Sequence, residues 1–391
     1  MPPTLHLWTP GLFDFKGGIQ TYSSFLLEGL QAVLPGATLR VFTMHDAPAT
    51  LPTSAPARIS YHTTGHVPGR LRAMAFAAQT GRAALRDRPD LIIATHVNFT
   101  PIAHGLKRLA HLPYWGIAHG FEAWEVAKPQ VRRGMAGADK ILAVSGFTRD
   151  RIDQSQALQN LGILPNTFDS RRFQVAPKPR HLLDRYGLRP DQPVILTVNR
   201  LAAGEPFHSY DQILAALPTL QAALPNVHYL IVGKGDDRPR LERLIADRHL
   251  QAQVTLAGFV SNDELPDHYA LCDVFAMPSQ LEGFGIVYLE AMACGKPVLA
   301  GLDGGQDAVK QGELGALVDP ENAAAIADRL IQILSGTYPN PLMYRPQALR
   351  QSAIAAFGPQ AFQRCLAAHL AEQLNPATAP IQNEPDQLHP A

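Results

Sequence analysis

Two glutamates enclose a glycine-bearing segment in the second half of this 391-residue chain. Glu282 and Glu290 are separated by seven residues within PSQLEGFGIVYLEAMACGKPVLAG, and Gly283 and Gly285 follow the first glutamate closely. Carboxylates accept hydrogen bonds from sugar hydroxyls, while glycines and the first amides of a helix suit a closely bound phosphate. The spacing indicates an elongated ligand, with a hexose at one end and a ribose at the other. For the pair alone, the alternative is that Glu282 only favours the helix dipole and that Glu290 is a solvated helix residue.

Composition excludes several classes of protein. The 34 basic residues balance the 34 acidic ones, so no overall field attracts nucleic acid. Cys272, Cys294 and Cys365 are odd in number and far apart, which argues against a disulfide framework or a zinc site. The N-terminal residues lack the pattern of a signal peptide, and no apolar run is long enough to span a bilayer. These features predict a cytoplasmic protein.

Short apolar runs alternate with segments of helical period, which predicts an α/β fold with parallel sheets wrapped by helices. In the first half, Ile19, Tyr22, Leu26, Leu30 and Val33 fall on one stripe directly after Gly17 and Gly18. The same alternation restarts in the second half. The predicted strands are LHLW, LRVFT, LIIAT, PYWGIA and KILAV in the first half, and VILTV, VHYLIV, VTLAG, DVFAM and PVLAG in the second.

The chain is therefore predicted to form two Rossmann-like, doubly wound domains that face a cleft. A Pro- and Arg-rich stretch after residue 165 marks the connection between them. We assign residues 1–168 to the first domain and 169–356 to the second. A C-terminal helix over 357–373 joins the first domain, and the tail 374–391 is predicted to be disordered. Ligands of such sheets bind beyond the carboxyl ends of the strands.

The segment around Glu282 resembles the signature of glycosyltransferase family 4, which comprises retaining enzymes of the GT-B fold. Other segments agree in order over about residues 5 to 373: KGGIQTY, HGFEAWE, ILAVSGFTRD, ILPNTFD, TVNRL, VGKGDD, AGFV and GELGALVDP. The resemblance implies that a hexose moves from a UDP- or GDP-sugar to a hydroxyl of a glycan, polysaccharide or lipid-linked acceptor. It places the donor site mainly on the second domain and the acceptor site on the first.

The resemblance also assigns roles to individual residues. It implies catalytic roles for His119, Glu282 and Arg200, with His119 and Glu282 beside the transferred sugar and Arg200 on the donor diphosphate. It gives the ribose hydroxyls to Glu290, the diphosphate to Gly18 and the nucleobase to Gly258 and Val260. The full predicted donor set is Lys16, Gly18, Arg200, His208, Gly258, Val260, Glu282, Gly283, Phe284, Gly285 and Glu290.

Several of these residues also have plainer interpretations. Gly18 suits an ordinary turn before a helix. His119 suits a structural histidine with a satisfied hydrogen bond. The stretch containing Gly258 suits an ordinary strand end, and an isolated Arg200 suits the surface.

The chain departs from the family pattern at one charged position. Family members usually carry a lysine a few residues after the arginine, but here the segment reads EPFHSYD and His208 takes that place. A free histidine is mostly neutral at pH 7, although adjacent phosphates raise its pKa. We expect His208 to bind the diphosphate as an imidazolium, while Lys16 or Lys234 could instead supply the charge. The alternative function is a catalytically weakened sugar-nucleotide-binding protein.

Three further expectations follow. No D-x-D motif is present, so neither a metal nor another cofactor is expected. A different GT-B enzyme and a dehydrogenase are weaker alternatives, the latter because no G-x-G-x-x-G follows the first strand.

Residues 68–89 place Leu71, Met74, Ala78 and Leu85 on one helical stripe near several arginines. This helix either contacts an anionic membrane, at the inner face for a cytoplasmic enzyme, or is an ordinary amphipathic helix packed on the sheet with exposed arginines.

Overall fold

The computed structural model describes residues 2–14, 17–52, 57–204 and 210–374. These residues form two lobes, each built on a parallel sheet flanked by helices. The predicted tail 374–391 lies outside the described residues from 375 onward. The predicted α/β class with two doubly wound domains is confirmed.

The first lobe contains a sheet with the strand order β3-β2-β1-β4-β5-β6-β7. Its strands are mostly short and apolar, and Leu91–Ala94 is buried along its whole length, as expected where helices cover both faces of a sheet. The strands are β1 (Thr4–Thr9), β2 (Thr38–Thr43), β3 (Ile59–Thr63), β4 (Leu91–Ala94), β5 (Tyr114–Ala118), β6 (Lys140–Ala143) and β7 (Leu161–Ile163).

Helices connect these strands and bury one face each. In the first helix Tyr22, Leu26 and Leu30 of the predicted stripe are buried, and Val33 packs against the same core. The helices are α1 (Gly18–Val33), α2 (Gly69–Asp87), α3 (Thr100–Ala110), α4 (Phe121–Trp124), α5 (Pro129–Ala136) and α6 (Gly146–Gln156).

Helix α2 shows which face of residues 68–89 packs on the lobe. Its buried residues are Phe76, Thr80, Ala83 and Ala84. The predicted stripe lies on the other side, where Leu71, Met74 and Leu85 are 45%, 63% and 43% exposed and Ala78 is also exposed. Helix α2 thus packs on the first lobe, as the alternative expects, but through its small and aromatic residues and not through the predicted stripe.

The second lobe contains a sheet with the strand order β10-β9-β8-β11-β12-β13. The elements that build it are α7 (Arg180–Tyr186), β8 (Val194–Val198), α8 (Tyr210–Ala223), β9 (His228–Val232), α9 (Arg238–Asp247), β10 (Val254–Gly258), α10 (Leu265–Leu271), β11 (Val274–Met277), α11 (Ile286–Ala293), β12 (Val298–Gly301), β13 (Ala316–Val318), α12 (Ala323–Leu334) and α13 (Pro346–Phe357).

The last helix, α14 (Pro359–Leu374), returns to the first lobe. Phe362 packs against Tyr22 of α1 with a ring-centre distance of 6.0 Å. The indole Nε1 of Trp115 donates to Gln373 Oε1 at 2.9 Å, and Lys140 forms an ion pair with Glu372. The chain thus crosses between the lobes twice, after β7 and again between α13 and α14.

Candidate active site

Both sheets reverse their winding direction at a point where the predicted residues gather. In the first sheet the reversal lies between β1 and β4, and in the second it lies between β8 and β11. Ligands of open α/β sheets bind at such points, beyond the carboxyl ends of the strands. Gly18 follows β1, Arg200 follows β8 and Glu282 follows β11. The fold therefore brings three predicted site residues to the two switch points.

The loop after β1 is fixed in place by the buried carboxylate of Asp46. Asp46 accepts backbone N–H bonds from Leu12 at 2.7 Å and from Phe13 and Asp14 at 3.1 Å each. Helix α1 then begins at Gly18, where an added Cβ would meet no described atom within 4 Å. No atom of the described residues therefore fills the space beside Gly18, and the first amides of a helix suit an anion at such a position.

His119 lies directly after β5 and is fixed by three neighbours. Its Nε2 donates to the carbonyl oxygen of Thr95 at 2.8 Å, and its backbone N–H donates to Glu122 Oε1 at 2.7 Å. Tyr22 packs edge-on against the ring at 5.0 Å. Because a carbonyl oxygen only accepts, Nε2 carries the proton and Nδ1 is the acceptor. Burial lowers the pKa of His119 to about 4, so the ring is neutral at pH 7.

The segment from Leu281 to Gly285, which we call the donor loop, is tightly shaped. Leu281 has a φ of 55° and Gly285 a φ of 84°, a region that favours glycine and is strained for leucine. The backbone N–H of Glu282 donates to the carbonyl of Asp303 at 3.1 Å. Phe284 is buried and packs on Phe357, so a ligand could contact this residue through its backbone only.

Glu290 lies on α11, beyond the donor loop. Its Oε2 accepts a 2.7 Å hydrogen bond from the hydroxyl of buried Tyr269. Burial raises the pKa of Glu290 to about 7, although the Tyr269 bond and the charge of Arg172 act in the opposite direction. Arg172 comes from the connection between the lobes, where it also donates to the carbonyl of Asn262 and lies over the ring of Phe173. A linker residue thus reaches the same end of the site.

The strand end at β8 carries Asn199 and Arg200. Arg200 is exposed, whereas both polar atoms of the Asn199 side chain are buried without a hydrogen-bond partner in the part of the chain that is described. Buried amides normally have partners, so this side chain is one that a bound ligand could satisfy. Arg200 is a site residue predicted from the sequence, whereas its neighbour Asn199 carries no sequence signal of this role.

The end of β10 forms the third side of the second-lobe site. Gly258 has a φ of 76°, and Val260 packs against the core. Phe259 between them is 69% exposed, and the Nζ of Lys234 lies 4.7 Å from its ring centre. Lys234 therefore faces an aromatic ring in this structure.

The two lobes touch where the loops after β5 and β11 meet. A Cβ added to Gly283 would lie 1.9 Å from the carbonyl oxygen of His119, and one added to Gly120 would lie 3.2 Å from the Cα of Gly283. Only backbone without a side chain fits there. The structure thus brings His119 and the donor loop together from opposite lobes.

Some residues of the site were not predicted, and two predicted residues cannot be placed. Asp46 holds the loop before Gly18, and Thr95 and Tyr269 hold His119 and Glu290 from distant positions in the sequence. Glu122, which also holds His119, lies within HGFEAWE but was not singled out. Lys16 and His208 lie outside the described residues.

Comparison with known families identifies the chain. A family model described as glycosyl transferases group 1 matches residues 181–351, and one described as glycosyltransferase family 4 matches residues 16–172. Together they cover both lobes. The chain belongs to the family 4, group 1 glycosyltransferases. The resemblance proposed from the Glu282 segment is confirmed.

Sequence relatives of this glycosyltransferase include characterised transferases. A GDP-mannose-dependent alpha-(1-6)-phosphatidylinositol monomannoside mannosyltransferase of Mycolicibacterium smegmatis is 37% identical over 234 residues, which are 56% of this chain and 59% of that protein. The match thus spans less than two thirds of that relative. A D-inositol 3-phosphate glycosyltransferase of Rhodococcus opacus is 27% identical over 417 residues, covering 95% of this chain and 87% of that protein.

Solved structures agree on the fold. HepE of Anabaena in complex with UDP and glucose superposes with a TM-score of 0.76 at 21% identity, covering 95% of this chain and all 100% of that chain. A sucrose-phosphate synthase of Thermosynechococcus elongatus has a TM-score of 0.78 at 22% identity, covering 96% and 100%. At these identities the likeness concerns the fold, which is GT-B.

The described residues also bear on the predictions about a membrane-spanning segment and a metal site. No helix within them has both the length and the apolar character needed to cross a bilayer. The same residues contain no group of three or more His, Cys, Asp or Glu side chains placed to hold a metal ion. Metal independence itself stays a prediction.

Proposed function

We propose that this glycosyltransferase moves a hexose from a nucleotide diphosphate sugar to an acceptor hydroxyl, with retention of the anomeric configuration. The observation that carries the proposal is the meeting of the His119 loop, which follows β5, with the donor loop, which follows β11 at the switch point of the second sheet. The donor would lie along the second lobe, with its ribose at Glu290, its sugar at Glu282 and its diphosphate between Arg200 and the start of α1.

Among the two donors expected from the sequence, relatives favour a GDP-sugar. Four relatives at 33% to 37% identity are described as GDP-mannose-dependent. Their names also support a lipid-linked acceptor that carries a polyol headgroup. The structures solved with UDP share only about a fifth of their residues with this chain, so we place GDP-mannose first and a UDP-hexose second.

In the proposed reaction the bond between the sugar C1 and the diphosphate breaks, and the acceptor oxygen bonds to C1 on the same face. The acceptor proton passes to an oxygen of the departing diphosphate. Neutral His119 cannot supply a positive charge, so it would orient the sugar through Nδ1 as a hydrogen-bond acceptor. Arg200 and the amides of α1 would stabilise the charge on the leaving group, without a metal.

A thermal-shift screen with GDP, UDP, ADP and their sugars tests the donor site, because a ligand that binds the native state raises its melting temperature. We expect stabilisation by one nucleotide family and its loss in Glu290→Ala. No stabilisation by any nucleotide would overturn the proposal. Binding without transfer to any hydroxyl acceptor would support the weakened binding protein instead.

His208 is proposed to complete the diphosphate site as an imidazolium. Replacing His208 with lysine should keep or raise activity and flatten the pH profile between 6 and 8, since lysine stays charged over that range. Complete loss of transfer in His208→Lys would contradict this role.

We also propose that the enzyme works at the inner face of a membrane through α2. Leu71, Met74 and Leu85 form an exposed apolar stripe, and Arg82 and Arg86 line a neighbouring cavity of about 370 Å³ beside the first sheet. Exposed apolar residues beside arginines favour anionic lipid surfaces. Arg72 is excluded from this role because it bonds to the carbonyls of Gly65 and Val67.

Sedimentation with phosphatidylglycerol vesicles tests the membrane contact. Met74→Glu should weaken vesicle binding about tenfold, because it replaces an apolar contact with the lipid by a charge that anionic lipids repel. Leu109→Glu is the matched control, since Leu109 is 72% exposed on α3 rather than α2. Equal sedimentation of all three proteins, or none by the wild type, would remove the proposal.

A further inference from the structure

The donor loop is hydrogen-bonded to the first lobe through one backbone carbonyl group, that of Gly283. The carbonyl oxygen of Gly283 accepts a 2.6 Å hydrogen bond from Ser145 Oγ and a 3.2 Å hydrogen bond from Thr148 Oγ1. Both hydroxyls belong to the first turn of α6, in the segment SGFT that directly follows β6, and both residues are buried. The first lobe therefore contacts the residue next to Glu282 through two hydroxyl groups.

A second contact runs in the opposite direction. Asp307 of the second lobe extends its carboxylate to the same helix start, where Oδ2 accepts the backbone N–H of Phe147 at 2.8 Å. Gly146 lies beside this carboxylate, since an added Cβ would be in ordinary van der Waals contact with Asp307 Oδ2 at 3.4 Å. A carboxylate at a helix N-terminus is stabilised by the unpaired amides and by the helix dipole. The first lobe thus supplies the hydroxyl and N–H donors, and the second lobe supplies the carbonyl and carboxylate acceptors.

An apolar contact completes the junction. Leu281, which has the left-handed φ of 55°, packs against the first-lobe cluster that contains Trp124 and Ile152. A strained backbone persists only where its surroundings hold it in place. The Leu281 side chain rests on the opposite lobe, while Asp303 of the second lobe holds the Glu282 backbone, so the shape of the donor loop depends in part on contact between the lobes.

We infer that Ser145, Thr148, Leu281, Gly283 and Asp307 form an interlobe latch that positions Glu282 when the lobes close. The inference rests on the proposed transfer function and adds to it a group of positioning residues. Glu282 lies between two latch residues, Leu281 and Gly283, so closing the lobes and setting this carboxylate in place become one event. Nucleotide binding to Arg200 and Glu290 does not require the latch, because those residues belong to other elements of the second lobe.

The key variant is Asp307→Ala, which removes a half-buried carboxylate without touching the donor residues. We expect kcat for transfer to fall about tenfold or more, in line with the loss of a hydrogen bond to a charged group. The Kd for GDP or UDP should change less than threefold. Asp319→Ala is the matched control, since its carboxylate accepts the backbone N–H of Glu321 within the second lobe.

A conservative series sharpens the result. Asp307→Asn keeps an acceptor oxygen and should recover most of the activity lost in Asp307→Ala. Thr148→Val removes the longer of the two hydroxyl bonds while keeping the shape of a buried side chain, and should lower kcat about threefold. Ser145→Ala is less informative because Ser145 Oγ also accepts the N–H of Thr148 and caps α6.

Small-angle X-ray scattering provides a readout that does not depend on activity. The Asp307→Ala protein should have a larger radius of gyration than the wild type, and saturating nucleotide sugar should compact it less. An unchanged radius together with unchanged kcat would overturn the latch while leaving the transfer function intact. A wild type that binds no nucleotide would overturn the transfer function, and the scattering comparison would still test whether these residues hold the lobes together.

Discussion

The two sides of the cleft are built from different chemistry. On the first lobe, His119 is neutral, its Nε2 is occupied by Thr95, and its backbone is held by Glu122. On the second lobe, Glu282 and Glu290 provide carboxylates, and Arg200 provides a permanent positive charge. Under the proposed function, the second lobe would recognise the charged, hydroxyl-rich donor, whereas the first lobe would contribute orientation and coverage. Variants on the two sides should therefore fail in different ways.

The largest effect is expected at the point where the lobes touch. Gly283→Ala places a Cβ 1.9 Å from the carbonyl oxygen of His119, so the lobes must separate. A displacement of about 1 Å can cost about 100-fold in rate, and we expect at least that loss of kcat/KM with nucleotide binding retained. Gly105→Ala on α3 is the control, since no described atom lies within 4 Å of its added Cβ. Normal transfer by Gly283→Ala would refute close contact between the lobes.

A smaller loss is expected from Glu282→Gln. The change keeps the shape of the side chain but removes the charge that would hold a sugar hydroxyl, which corresponds to about a 10- to 100-fold drop in kcat/KM. Binding of GDP or UDP without a sugar should be unchanged, as measured by calorimetry. If affinity for the bare nucleotide fell equally, Glu282 would belong to the nucleotide half of the site instead.

Glu290→Gln should show a pH-dependent effect. Burial raises the pKa of Glu290 to about 7, so the wild-type carboxylate is ionised at pH 8 and largely protonated at pH 6. We expect nucleotide affinity to fall about tenfold in the variant at pH 8, and the difference to shrink at pH 6. Calorimetric titration at both values checks this. A difference that does not vary with pH would contradict the assignment.

The same pKa shift has a stability consequence of the opposite sign. Because the folded-state pKa of Glu290 is raised, its contribution to stability is present below pH 4.5 and is lost as pH rises through 7. The free energy of unfolding, measured by circular dichroism, should therefore increase for Glu290→Gln relative to the wild type between pH 5 and pH 8. His119 adds no change between pH 7 and 8, since its lowered pKa leaves it neutral there.

The smallest effect is expected from Tyr269→Phe. This change removes the hydroxyl that bonds to Glu290, a bond that lowers the pKa of the carboxyl. The pH midpoint for nucleotide binding should move upward, with about a threefold loss of affinity at pH 7. Tyr229→Phe is the matched control, because its buried hydroxyl bonds to Thr197 away from Glu290. A downward shift of the midpoint would contradict this account.

The fold could be predicted from the sequence because each strand and helix carries a local pattern. The apolar runs from LHLW to PVLAG all correspond to strands of the two sheets. The predictions omitted β3, β7 and β13, which are short edge strands with partly exposed residues and therefore show weak patterns. The predicted C-terminal helix began at 357, whereas Gly358 is extended and separates α13 from α14.

Residues of the site could be predicted only where they belong to a local sequence motif. Gly18, Arg200 and Glu282 follow strands, and the rule for open sheets then places them at the cleft. Asp46 is 34 residues from the N–H group of Leu12 that it binds, and Ser145 is 138 residues from Gly283. Such pairs depend on tertiary proximity, which no periodic pattern in a single sequence encodes. The exposed face of α2 was ambiguous for the same reason.

The return of α14 to the first lobe has a consequence for biosynthesis. Phe362 covers Tyr22 and Gly29, while His369 Nε2 donates to the carbonyl oxygen of Ile163 at the end of β7, so the first lobe lacks part of its packing until α14 arrives. A ribosome delivers the second lobe before this helix emerges from its tunnel. The N-terminal half must therefore wait, with an apolar face uncovered, until the second lobe has been translated. Nascent chains stalled before Pro359 should engage chaperones through that face, and release should follow once α14 has docked.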